Sequence, residues 1–159
     1  MDATVNAANV KCDLARETLR TCGSLRLKTN GWSMLPLIWP GDVIVLESSQ
    51  GSQVMAGDIV VFRHESRFVA HRVIERHSKA ATEWVVTQGD ALATPDAPIR
   101  PHQILGKVSS VLRNGRCYDA KHSLRRSERG LATFLRRSQR AARAMARVHV
   151  VLHKIRKSS

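Results

Sequence analysis

A chain of 159 residues, 43% hydrophobic and 25% charged, is long enough for one domain and an appendage and too apolar to remain unfolded. Its net charge of +13 belongs to the tail: residues 1–110 hold 12 Lys/Arg against 11 Asp/Glu, whereas residues 111–159 hold 14 against 2. The main body therefore offers no electrostatic reason to bind nucleic acid, which makes a nucleic-acid partner an unlikely expectation. No stretch approaches the roughly 18–20 consecutive apolar residues that a spanning helix needs, and Asp2, Lys11 and Asp13 stand where a signal peptide would be apolar. These features predict a cytoplasmic protein.

Residues 3–22 lack Gly and Pro, and Val5, Ala8, Leu14 and Leu19 recur at roughly helical intervals before Gly23. A short N-terminal helix capped by that glycine is expected. The run SLRLK (24–28) then alternates like a strand. It leads into TNGWSMLPLIWPGDVIVL (29–46), where Ser33 follows a glycine and a tryptophan and precedes a methionine and a proline. A serine is a nucleophile only where a base takes its proton and backbone N–H groups can hold an oxyanion, and a Gly/Pro-framed turn is suitable scaffolding for that. The same framing is also that of an ordinary turn serine.

From Asp42 onward the period stays near two. VIVL (43–46), DIVVF (58–62), RFVAHRVIE (67–75), EWVV (83–86) and ILGKVSSVL (104–112) are each bounded by Gly, Pro or Ser, which predicts a compact, mostly antiparallel β domain. In FVAHRVI the alternation puts His71 on the face of Val69 and Val73, where a histidine is either a hydrogen-bonded core residue or a general base near neutral pH. The block TQGDALATPDAPI supplies Asp90 and Asp96, each either a turn residue or the carboxylate that orients an imidazole. Cys12, Cys22 and Cys117 have no metal-type spacing, the seven histidines form no HExxH pattern, and neither a metal nor another cofactor is expected.

In this order the blocks GWSMLPLIWPGDVIVL, AGDIVVFR, FVAHRVI, TQGDALATPDAPI and ILGKV resemble the catalytic domain of type I signal peptidases over roughly residues 24–110. The likeness is nearer to the endoplasmic-reticulum and SipW-like branch, which has histidine where the common bacterial branch has lysine. It extends to the wider superfamily that includes LexA-type self-cleaving repressors. The resemblance implies a coiled antiparallel β fold and a serine endopeptidase acting on a leader or other extended peptide. Ser33 would then be the nucleophile, His71 the base, Asp96 the orienting carboxylate and Asp90 a second acidic position. Met34 and Pro36 would lie beside the substrate cleft. Asp96 is preferred over Asp90 as the partner of His71, and Lys107 is the alternative base. A non-enzymatic module that keeps the fold and binds a peptide or a membrane surface is the competing expectation.

Beyond Cys117, Leu124, Leu131, Leu135, Ala142, Met145, Val148, Leu152 and Ile155 fall three, four or seven apart among arginines, giving a basic amphipathic helix bent or broken near Gly130. Packing on the β domain, contact with an anionic membrane surface, and contact with nucleic acid or an acidic protein partner are the three readings of this tail. The expected division is an N-terminal helix (1–23), a mainly β catalytic domain (24–115) and a basic helical tail (116–159).

Overall fold

The computed structural model describes residues 2–49, 53–65, 67–79, 82–120, 131–132, 134–135 and 138–157. Helix α1 (Asp2–Cys22) opens the chain, followed by strands β1 (Ser24–Lys28), β2 (Val43–Glu47), β3 (Ile59–His64), β4 (Arg67–Lys79), β5 (Thr82–Gln88), β6 (Ile104–Arg113) and β7 (Arg116–Asp119). A 3-10 turn at Pro101–Gln103 precedes β6, and helix α2 (Gln139–Lys157) closes the chain. The strands form one antiparallel sheet in the order β1-β2-β6-β3-β4-β5, with β7 also paired to β6. The chain is thus mainly β, with helices at its two ends, as the alternation implied.

Register shifts at Val45/Leu46, Val61/Phe62 and Val73/Glu75 interrupt three of the pairings. Such bulges bend a strand and raise its twist, which coils the sheet so that both faces are covered. One face holds Ile44, Leu46, Ile59, Val61, Val108 and Val111 under α1 and the 29–42 loop. The other holds Val54, Val60, Phe62, Val73, Val85 and Ile104.

Two local details differ from the sequence reading. In α1 the buried stripe is Cys12, Ala15 and Leu19, while Leu14 is 66% exposed; the small side chains at 12 and 15 let the helix lie close to the sheet. The sheet does not end at residue 115, because β7 pairs along β6 and Ala120 is buried in the main core. The expected bend at Gly130 lies outside the described residues. A break is described at Ser138, where the hydroxyl accepts a hydrogen bond from Ala141 N and caps α2. No helix among the described residues is long and apolar enough to cross a membrane.

Candidate active site

The loop between β1 and β2 carries Ser33, and its shape follows from a closed set of hydrogen bonds at its base. Thr29 N donates to Asp42 O (2.8 Å), and Gly41 N donates to Thr29 O (2.7 Å). Gly41 adopts φ 97°, a conformation that side-chain-bearing residues rarely reach. The buried Asp42 carboxylate accepts from Trp39 N (2.7 Å) and from Arg113 Nη2 (2.6 Å), and the same Arg113 nitrogen donates to Leu37 O (2.8 Å). The Leu35–Pro36 peptide is cis. The result is a loop tied at both ends to the sheet.

Within the loop Met34 and Ile38 enter the main core, and Leu35 faces the opposite way. Ser33, just before them in the chain, is half-buried, and its carbonyl accepts a hydrogen bond from Ala91 N (2.8 Å). Gly31 does not take the left-handed conformation, and a Cβ there would meet nothing nearer than Ser33 Oγ at 3.9 Å, so neither backbone strain nor crowding requires glycine at this position. Met34, expected beside the substrate cleft, has a side chain only 3% exposed that packs in the core. Pro36 is half-buried, and its carbonyl accepts from Trp39 Nε1 (2.7 Å).

His71 reaches the site from the middle of β4, where it pairs with Val60 of β3 and meets the Phe62 ring edge-on. It is 5% exposed, and its Nδ1 lies 2.6 Å from Asp96 Oδ2. The same oxygen accepts from the Thr87 hydroxyl at 2.6 Å, while Asp96 N donates to Thr87 O at 2.8 Å. Thr87 therefore grips Asp96 by both backbone and side chain. A carboxylate beside Nδ1 holds the proton there and leaves Nε2 as the acceptor, which is the tautomer a general base requires.

Asp90 goes elsewhere. It is 1% exposed and meets Arg72 in a two-pronged pair, Nε to Oδ1 at 2.8 Å and Nη2 to Oδ2 at 2.7 Å. Arg72 also donates to Gly57 O (2.8 Å). Of the two aspartates left open by the sequence, Asp96 meets His71, and Asp90 fixes the turn whose next residue, Ala91, holds the Ser33 carbonyl. Lys107 lies in the same cross-strand row as His71, since Val60 pairs with both, but its amine is 2.9 Å from Asp58 Oδ1.

The two halves of the site meet at Gly89. β4 and β5 pair Arg72 with Gln88, so one further step of the register brings Gly89 level with His71. A Cβ at Gly89 would stand 2.7 Å from Ser33 O, so only glycine admits the serine loop this close to the β4–β5 end. Among the described residues no direct Ser33–His71 hydrogen bond is made.

The protein-family model described as Peptidase S24-like matches residues 3–109. The chain belongs to this family. The match runs from α1 through most of β6, so the N-terminal helix falls inside it and α2 falls outside. It agrees with the coiled antiparallel sheet and places the chain in the superfamily of peptidases that contains the LexA-type and signal-peptidase enzymes. No curated protein and no solved structure matches the chain.

Sequence reasoning did not single out Thr87 or Arg72, and it predicted the tail helix with packing on the β domain as one of three readings. The tail packs here: Leu135, Ala142 and Ala146 form a core cluster with Leu35 and Ala91, flanked by Trp32, Trp39 and Met145. The Arg143 guanidinium sits over the Trp32 ring, 5.4 Å from its centroid, and His149 packs on Trp39. Small residues at 142 and 146, four apart, give the helix a flat stripe that fits against the serine loop. Trp32 thus gains a partner that its place in the motif did not reveal.

Proposed function

We propose that the protein is a serine endopeptidase of the Ser-His type that cleaves an extended peptide or leader. The observation that carries this reading is the His71–Asp96–Thr87 chain, which links β4, β5 and the loop after β5 and is joined to the Ser33 loop through Gly89 and Ala91. In this mechanism His71 Nε2 takes the proton from Ser33 Oγ as that oxygen bonds to the scissile carbonyl carbon. Backbone N–H groups of the serine loop hold the oxyanion. The imidazolium, stabilised by the Asp96 carboxylate, returns its proton to the leaving amine. An acyl-serine remains, and a water activated by the same nitrogen then hydrolyses it. His71 fills the base role because the Lys107 amine is engaged by Asp58. On this reading the chain would work as the Ser-His branch of its superfamily does.

Incubation with a fluorophosphonate probe, followed by intact-mass and peptide mapping, tests the proposal. The expected result is one adduct, on Ser33, that vanishes in Ser33→Ala and falls steeply in His71→Ala. Absence of labelling, together with unchanged binding of a peptide in Ser33→Ala, would instead support a peptide-binding module that keeps the peptidase fold. The lack of a direct Ser33–His71 hydrogen bond is the observation that favours this second reading.

A further inference from the structure

Helix α2 has one face accounted for and one that is not. Its inner stripe, Ala142, Met145 and Ala146, rests on Leu35, Ala91 and the two tryptophans. Its outer surface presents Arg143, Ala144, Arg147, Val148 and Val151 to solvent, with Val148 58% and Val151 55% exposed. Phe134, just before the helix, is 59% exposed. Over Gln139–Lys157 the sequence contains six Lys/Arg residues and no acidic residue.

This pairing of chemistries narrows the partner. A nucleic acid or an acidic protein surface rewards guanidinium groups but gains little from exposed valines among them, and stacking aromatics are scarce here. A helix that merely faces water would carry the arginines but gain nothing from the valines. An anionic bilayer surface rewards both, since arginines pair with lipid phosphates while valine and phenylalanine side chains enter the boundary of the acyl region. We propose that the outer face of α2 is a docking surface for an anionic lipid membrane. Because the inner face of the same helix backs the Ser33 loop, a docked membrane lies about one helix diameter, some 10 Å, from that loop. The inference rests on α2 alone and holds whether or not Ser33 is a nucleophile.

The test is co-sedimentation of the full chain with phosphatidylcholine vesicles, with and without phosphatidylserine, at low and high salt. Binding is expected for the anionic vesicles at low salt only, because the attraction is screened over about 10 Å at 0.1 M ionic strength. Each basic residue near such a surface is worth about fivefold in partitioning, so Arg147→Glu lowers it by about thirtyfold and Arg147→Lys leaves it near wild type. Val148→Asp combined with Val151→Asp also weakens binding at least tenfold. Unchanged fluorescence of Trp32 and Trp39 in each variant shows that α2 remains docked. Three outcomes overturn the proposal: no sedimentation at low salt, equal sedimentation with uncharged vesicles, or loss with Arg147→Glu but not with the aspartates while duplex DNA competes. The last would make the partner a nucleic acid.

Discussion

The carbonyl oxygen of Ser33 lies where a Cβ on Gly89 would be only 2.7 Å away. The backbone of the serine loop and the end of the β4–β5 hairpin therefore touch at a point that has room for hydrogen and nothing larger. The Leu92 side chain closes the other side, 2.9 Å from that same Cβ position.

Gly89→Ala is accordingly expected to push the Ser33 loop away from His71. Overpacking of this kind costs about 1–3 kcal/mol, which for a domain of this size lowers Tm by roughly 2–4 °C per kcal/mol. Activity should fall by a larger factor than stability implies, through kcat more than KM. Calorimetry alongside steady-state kinetics separates the two; a variant that melts like wild type and cuts like wild type contradicts the close approach.

Ser33→Ala and His71→Ala should each reduce peptide cleavage by several orders of magnitude, and the double variant should be no slower than the worse single one, because nucleophile and base act as a unit. Substantial cleavage by His71→Ala that depends on Ser33 would move the base elsewhere, with Lys107 the first candidate.

Thr87→Val removes the hydroxyl that donates to Asp96 while nearly keeping its shape. A single hydrogen bond to a charged group contributes about 1.5–3 kcal/mol, so kcat is expected to fall by about tenfold to a hundredfold as the carboxylate loses its fixed position. Thr87→Ser, which restores the donor, should recover most of the rate. Asp96→Asn, which removes the carboxylate itself, should be more severe than Thr87→Val.

The Arg72–Asp90 pair can be tested by unfolding in urea. Asp90 is almost fully buried, and Arg72→Leu deprives it of its guanidinium. Breaking a buried pair from one side costs about 3–5 kcal/mol, whereas replacing both partners by apolar residues is often much milder. The expected order of stability is wild type, then Arg72→Leu/Asp90→Leu, then Arg72→Leu alone.

Much of the fold was legible because its signal is local. The runs between Val43 and Arg113 are apolar and bounded by turn residues, and the observed strands overlap them with ends shifted by a few residues, although β3 is buried at four successive positions rather than alternating. β7 was missed because Arg116–Asp119 has four residues, all exposed, and no buried alternation to read; it exists through pairing with β6. In α1, periodicity pointed to Leu14, but the close packing that size allows was decided by Cys12 and Ala15. The candidate site divides along the same line. Ser33, His71 and Asp96 stand in recognisable blocks, whereas the choice of Asp96 over Asp90 depends on Thr87 and Arg72, whose partners are set by how β4, β5 and the following loop come together. The partner of the tail was hidden for a similar reason: nothing in the alanines at 142 and 146 says which surface they fit.

The packing of Ala142 and Ala146 against Leu35 joins residues from opposite ends of the chain. During synthesis the serine loop leaves the ribosome well before the helix that backs it. Every sheet strand and all of Ser33, His71 and Asp96 are then present before the loop has its support, and contacts this distant in sequence form late. A chain cut short before α2 would carry the full set of reactive groups without the surface they rest on, so the emergence of α2 is itself the step that finishes the site.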